Sequence, residues 1–186
     1  MNPVVLVIAG SDSSGGAGLA RDVRTLADLG ADALCAVTAV TAQSDRRVAA
    51  VHPVPPDIIR SQIEAAFETR APDVVKIGML VDRRTVEVVA AALESFALGS
   101  GLIVLDPVLV SSSGGILLDD EGLAVLRERL LPRVTLLTPN VPEAAALLDE
   151  KPAASASALD AQAQRLLDLG PRAVLLKGGH APENCA

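Results

Sequence analysis

Short apolar runs, each bounded by turn residues or charges, recur along this 186-residue chain at 4–9, 34–40, 74–77, 102–105, 134–137 and 173–176. Uninterrupted apolar runs of this length are expected of strands buried on both faces. Between most of them lie amphipathic stretches with helical spacing, such as Ile58, Ile59, Ile63, Ala66 and Phe67, or Val86, Val89, Ala90 and Leu93. Pro55 and Pro56 before Asp57, Asp119 and Asp120 ahead of a helix to Leu131, and Ser157 ahead of a helix over 159–169 read as starts; Gly30 and Gly170 read as stops. Strands alternating with helices predict an α/β fold around a mainly parallel sheet. The interval from Gln43 to Pro56 is too short and polar for a core helix, and Val48-Ala49-Ala50-Val51 within it has the character of a flap or edge strand. The run from Ala153 to Ala158 reads as a loop entering a helix cap, not as a linker.

Half of the residues are hydrophobic but only 1% are aromatic, so the core has to be built from Val, Leu, Ile and Ala. The length suits one domain over 1–186, which would bury roughly 70% of its unfolded surface. A net charge of −7 argues against binding nucleic acid or an anionic membrane, both of which need clustered Lys and Arg. The apolar start lacks a basic flank and meets Gly10-Ser11-Asp12 too early for a signal peptide, and no apolar stretch reaches the ~20 residues of a membrane span. A cytoplasmic protein acting on a small molecule is expected. Two cysteines without ligand spacing predict neither a disulfide framework nor a zinc site; Cys35 reads as core packing.

In an open parallel sheet, ligands bind beyond the carboxyl ends of the strands. The strands here run out into Gly10-Ser11-Asp12, Thr41-Ala42-Gln43, Lys76 with Gly78-Met79, Asp106-Pro107, Thr138-Pro139-Asn140 and Lys177-Gly178-Gly179-His180. The first exit continues through Ser13-Ser14-Gly15-Gly16-Ala17-Gly18, a Gly-rich loop before a helix that matches neither the Walker A nor the dinucleotide fingerprint. Asp22, about a turn into that helix, and Gln43 can converge on one pocket. A carboxylate that accepts and an amide that both accepts and donates suit the edge of an aminopyrimidine; the alternative is that Asp22 is a solvated helix charge. Asp106, Asn140 and Glu143 offer the sparse oxygen set that Mg²⁺ prefers, although Asn140 ahead of Pro142 equally suits a helix cap. Lys177, and similarly Lys76, either points an ammonium at a phosphate or snorkels to the surface. His180 reads as an exposed loop residue.

Taken in order, these segments resemble the hydroxymethylpyrimidine and hydroxymethylpyrimidine-phosphate kinases of the ribokinase-like fold, which also contains the pyridoxal kinases. The resemblance runs from end to end and rests on Ala9-Gly10-Ser11-Asp12-Ser13-Ser14-Gly15-Gly16-Ala17-Gly18 with Asp22, Thr41-Ala42-Gln43, Lys76-Ile77-Gly78-Met79-Leu80, Asp106-Pro107-Val108, Leu137-Thr138-Pro139-Asn140-Val141-Pro142-Glu143 and Lys177-Gly178-Gly179-His180. It implies a three-layer α/β/α architecture. It also implies that Gly10, Asp22 and Gln43 hold the pyrimidine while Met79 and Val108 line its pocket. Asn140 and Lys177 would contact ATP phosphate, with Glu143 and Asp106 serving Mg²⁺. The reaction implied is in-line phosphoryl transfer from MgATP to a primary alcohol and then to its monophosphate, on the route to thiamine diphosphate.

Two departures qualify the resemblance. Family members continue past Lys-Gly-Gly-His into a Gly-Thr-Gly-Cys-like loop that forms an anion hole beside the catalytic residue, whereas this sequence reads Asn184-Cys185-Ala186, and Cys185 has no Gly-rich context. Losing such donors costs roughly 10²–10³ in rate for each, so binding is expected ahead of turnover and no catalytic residue is assigned. Ser44-Asp45-Arg46-Arg47 also stands where relatives often carry Asn-Thr and a Gly. The alternatives are a non-catalytic pyrimidine-binding module and a pyridoxal kinase-like specificity. A flap around Val48 to Val51 would suit a homodimer.

Overall fold

The computed structural model of the chain describes residues 2–44, 46–96, 101–110 and 115–178. Its sheet is organised around β1 (Val4–Asp12), in which each residue from Val4 to Ala9 is no more than 8% exposed. A strand with no polar face has to be covered on both sides and flanked on both edges. β1 pairs in parallel with β2 (Asp32–Ser44) on one edge and with β4 (Val74–Ile77) on the other. Beyond β4, also in parallel, come β5 (Leu102–Leu105), β6 (Leu136–Leu137) and β7 (Ala173–Val174). β3 (Arg47–Pro53) runs antiparallel along the outer edge of β2, which gives the order β3-β2-β1-β4-β5-β6-β7.

Side-chain alternation divides this sheet into two apolar faces. Leu6 and Ile8 of β1, Val75 and Ile77 of β4, Ile103 and Leu105 of β5 and Leu137 of β6 share the larger core. Ile59 and Ile63 of α2 (Pro56–Thr69), Val86, Val89 and Leu93 of α3 (Arg83–Ser95), Leu147 of α5 (Val141–Leu148) and Leu166 of α6 (Ala156–Asp168) close over it. Full burial of each such Leu, Ile or Val contributes about 1.5–3 kcal/mol. On the other face Val5, Val7 and Ala9 meet Leu19, Val23 and Leu26 of α1 (Gly18–Asp28). Helices on both faces make the three layers expected. The α1 face is thinly covered toward the far edge, where Leu102 is 46% and Leu175 56% exposed. Among the described residues no helix is long and apolar enough to cross a membrane.

Several sequence expectations are corrected. Cys35 is exposed, not core: alternation along β2 turns Ala36 into the large core and Cys35 away from it. The sixth strand is only Leu136–Leu137, because the helix after Asp119 does not remain α-helical. α4 (Asp120–Val125) passes into a π turn at Leu126–Leu130 and a 3-10 turn at Leu131–Arg133 around Pro132, which delays the strand. The last strand covers Ala173–Val174 and not 173–176. The cap of α6 is Ser155, whose hydroxyl accepts from the Ala158 N–H at 3.2 Å, and not Ser157. The interval that broke the helical rhythm is indeed an edge strand, β3. His180 and Cys185 lie outside the described residues, as does Asp45 of the charged loop.

The loop between β1 and α1 folds around one carboxylate. Asp12, 7% exposed, accepts from the Ser14 N–H at 2.8 Å, the Ser14 hydroxyl at 2.8 Å and the Ala17 N–H at 2.9 Å. Gly18 begins α1 at φ 57°, and a Cβ there would collide with the carbonyl oxygen of Gly10, so the loop returns onto the strand it left only because residue 18 has no side chain. Burial alone would raise the Asp12 carboxyl, but the hydrogen bonds from Ser14, Ala17 and Gly16 hold it below the ordinary carboxylate value. A group depressed in the folded state contributes stability above its unfolded pKa of about 3.9, and that contribution is lost as pH falls through the folded value. Asp12→Asn is therefore expected to lose about 1–3 kcal/mol at pH 7 in urea unfolding and to show a shallower stability loss than the parent below about pH 4. Equal acid profiles for the two proteins would count against this role.

Candidate functional site

The carboxyl ends of the parallel strands open into a cavity of about 360 Å³, within the range of small-molecule sites. Gly10, Asp22, Gln43, Met79 and Val108 all line it, together with Lys76, Gly78 and Asp106. Gly10, Gln43, Met79 and Val108 reach one space because β1, β2, β4 and β5 point the same way, and Asp22 joins them from α1.

Two irregularities in the sheet aim the polar groups. The β1–β2 register shifts between Ala9 and Ser11, so Gly10 sits at a bulge, and the β2–β3 register shifts between Ala42 and Gln43. Bulges re-aim side chains at the ends of strands. The Gln43 backbone is then pinned by Ser13, whose hydroxyl donates to the Gln43 carbonyl and accepts from its N–H, both at 2.8 Å. Among the described residues no group hydrogen-bonds the Gln43 side-chain amide, which keeps a donor and an acceptor available.

The apolar wall is placed with similar economy. A Cβ on Gly10 would collide with the Met79 methyl, so the glycine leaves the space that the thioether fills. The Thr38 hydroxyl, fully buried, donates to the Met79 carbonyl at 2.6 Å. Immediately after, the Asp82 N–H donates to the Leu80 carbonyl at 2.8 Å across Val81, which has φ 68°. A β-branched residue in the left-handed region costs on the order of 1–3 kcal/mol. It is held there because Asp82 caps α3 through the Thr85 N–H at 2.8 Å and Val81 bridges to Leu118.

Asp22 is not a solvated helix charge. Lys76 donates to its Oδ2 at 2.5 Å, and both side chains are about one-quarter exposed (24% and 25%). The same carboxylate faces Cys35: burial, and then the negative charge of Asp22, push the thiol pKa up.

A second polar cluster adjoins the cavity and shares Asp106 with it. Lys177 donates to Asp106 Oδ1 at 2.7 Å, its N–H donates to the Pro139 carbonyl at 2.8 Å, and its backbone bridges to Asn140. Lys177 is therefore tied to a carboxylate and does not simply extend into solvent. Asn140 and Glu143 form a reciprocal capping box on α5: Asn140 Oδ1 accepts from the Glu143 N–H at 2.8 Å, and Glu143 Oε2 accepts from the Asn140 N–H at 2.7 Å. Among the described residues no three His, Cys, Asp or Glu side chains converge on a metal position. An Mg²⁺ ion beside Asp106 and Glu143 would take most of its shell from phosphate and water, the sparse protein share usual for this ion.

Sequence reasoning missed Asp12, Ser13 and Thr38 as organisers of the site, and the pairing of Lys76 with Asp22. The Asp-x-Ser spacing of Asp12 and Ser14 is the signature of a side chain folding its own turn. A lysine inside an otherwise apolar buried strand also demands a carboxylate on the facing helix. Arg21, Val110 and Leu117 line the cavity as well, and nothing in their local sequence marks them.

The sequence model of the phosphomethylpyrimidine kinase family matches residues 12–186. The hydroxymethylpyrimidine/phosphomethylpyrimidine kinase of Escherichia coli is 44% identical over 175 residues, which cover 94% of this chain and 65% of that protein. That of Mycobacterium bovis is 47% identical over 178 residues, covering 96% and 64%. The chain thus spans about two thirds of the length of these relatives. Among solved structures, phosphomethylpyrimidine kinase from Clostridium difficile superposes with a TM-score of 0.90 at 37% identity, covering 99% of this chain and 78% of the other. Staphylococcus aureus pyridoxal kinase in complex with pyridoxal does so with 0.85 at 30%, covering 97% and 64%. With that match along nearly its whole length, the chain belongs to the phosphomethylpyrimidine kinase family.

Proposed function

We propose that this chain carries the substrate cavity and part of the phosphate-binding surface of a kinase that phosphorylates 4-amino-5-hydroxymethyl-2-methylpyrimidine, and then its monophosphate, from MgATP. The observation that carries this reading is the convergence of Gly10, Asp22, Gln43, Met79 and Val108 on one cavity whose rim, at Asp106, adjoins the Lys177 and Asn140 cluster. In this reading the ring lies against Met79 and Val108, beside the glycine on which Met79 packs. Asp22 accepts from the exocyclic amine, and the Gln43 amide reads both kinds of group on the ring edge. The hydroxymethyl group points toward Asp106. Lys177 and Asn140 meet nucleotide phosphate there, and Asp106 and Glu143 serve Mg²⁺, which when bound neutralises charge on the phosphates. The protein's own contribution is placement of the alcohol and fixed positive charge near the transferring group.

Support for a phosphate-bearing ligand also comes from the neighbours, since Staphylococcus aureus pyridoxal kinase has been solved with ADP and with AMP-PCP. The same protein solved with pyridoxal keeps a pyridoxal-like specificity as the second reading. The edge strand β3, with Val40 of its partner strand 53% exposed, supports pairing of two copies along this ribbon. A light-scattering mass near twice the 19.0 kDa of the chain is expected, and a mass of one chain would remove the dimer.

Titration calorimetry with the pyrimidine alcohol, beside an ATP-coupled turnover assay, tests the main reading. Binding of the pyrimidine is expected, with Gln43→Ala weakening it about tenfold or more and Lys177→Ala leaving it within about threefold while weakening nucleotide binding. Preference for pyridoxal in direct competition would favour the second reading, and binding of neither compound would overturn both. Binding without turnover would mark the chain as a binding module on its own.

A further inference from the structure

The Lys76–Asp22 pair is the feature of the cavity that the ligand reading uses only by half. Lys76 comes from the middle of the sheet, on the face that looks toward α1, and Asp22 comes from α1 itself. Their contact at 2.5 Å occupies Oδ2 of the carboxylate. Among the described residues no group hydrogen-bonds the other oxygen, Oδ1. Room for the ammonium is built in, because a Cβ at Gly78 would stand 3.3 Å from Lys76 Nζ, and both residues line the cavity beside Asp22.

We infer that Lys76 is a positioning and specificity-determining residue: by holding one oxygen of Asp22 and balancing its charge, it turns the carboxylate into a single, directed acceptor for a neutral ligand amine. A free carboxylate on a helix has two equivalent oxygens and rotates among rotamers, and it attracts cationic ligands most strongly. A carboxylate already bonded to an ammonium has a fixed plane and no net charge as a pair. It rewards a neutral aromatic amine that donates one hydrogen bond, and it gives a cationic or two-pronged donor little advantage. The Cys35 thiol on β2, which feels the charge of Asp22, makes no hydrogen bond to the carboxylate among the described residues and leaves its second oxygen open.

This inference rests on the aminopyrimidine reading above, and its test separates the two. Calorimetry on the full chain would compare 4-amino-5-hydroxymethyl-2-methylpyrimidine with its analogue lacking the 4-amino group, using the parent protein, Lys76→Met and Lys76→Arg. The parent is expected to prefer the amino compound by about tenfold, as for a hydrogen bond to a charged acceptor. Lys76→Met should bring that ratio to within about twofold of one while changing affinity for the analogue by less than about threefold, and Lys76→Arg should restore most of the ratio. A purely structural Lys76 would instead weaken both compounds alike in Lys76→Met. That result, or an unchanged ratio, would overturn the inference and leave the pyrimidine reading standing. Failure of the parent to bind either compound would overturn both. Should Lys76→Met not fold by thermal unfolding, Lys76→Gln provides the same comparison with a side chain that still hydrogen-bonds Asp22, and a parental ratio in that variant would equally contradict a role for the ammonium.

Discussion

Burial of β1 on both faces is the constraint from which the rest of the structure follows. A strand with six consecutive residues at or below 8% exposure leaves no choice of which side to solvate, so it takes a parallel neighbour on each edge and a layer of helix on each face. Parallel pairing then sends the carboxyl ends of β2, β4 and β5 to the end where β1 stops. Gly10, Gln43, Met79 and Val108 of the cavity lining all come from that end, and α1 adds Asp22. The Gly-rich loop is the direct continuation of β1, and the Asp12 carboxylate inside it converts a flexible glycine-rich turn into a fixed floor.

The charges of the site are arranged by the same economy. Each of three carboxylates near the cavity has its own partner: backbone N–H groups and a hydroxyl for Asp12, the ammonium of Lys76 from β4 for Asp22, and the ammonium of Lys177 from the far edge of the sheet for Asp106. A half-buried carboxylate left bare would be costly, and its field would not distinguish a neutral amine from any passing cation. Pairing leaves the Gln43 amide, together with one oxygen of Asp22, without a hydrogen-bond partner among the described residues, on the lining of the cavity that Met79 and Val108 wall. Asp106 belongs to both the cavity and the Lys177 cluster, and this sharing connects where the ring would sit with where phosphate would arrive.

Much of this was legible in the sequence because it follows from period and position. Runs such as 74–77 and 102–105 became strands with those bounds, since a short apolar run between turn signals has one stable use in an alternating chain. Of the five residues expected at the ligand, Gly10, Gln43 and Met79 were legible as strand exits, Asp22 from its place a turn into the following helix and Val108 from the family resemblance, and the fold brings all five onto one cavity. What was not legible depended on partners distant in sequence. Cys35 looked apolar in its run, but which face it takes is set by the register of β2 against β1. Lys76 and Asp22 are 54 residues apart, and their pairing required knowing that α1 lies over β4 as well as over its own strand. Likewise the capping role of Asn140 was foreseen from Pro142, but its backbone bridge to Lys177 was not, because that depends on the order of β6 and β7 in the sheet.

The central claim is that ring recognition and phosphate recognition meet at Asp106, with the pyrimidine enclosed by the ends of β1, β2 and β4. A crystal structure of the chain soaked with 4-amino-5-hydroxymethyl-2-methylpyrimidine tests it most directly. The account predicts the ring in the cavity against Met79 and Val108, its exocyclic amine on Asp22 with Lys76 still bonded to the same carboxylate, and its hydroxymethyl group facing Asp106. A ring bound elsewhere, or bound in the cavity with its hydroxymethyl group turned away from Asp106, would contradict it.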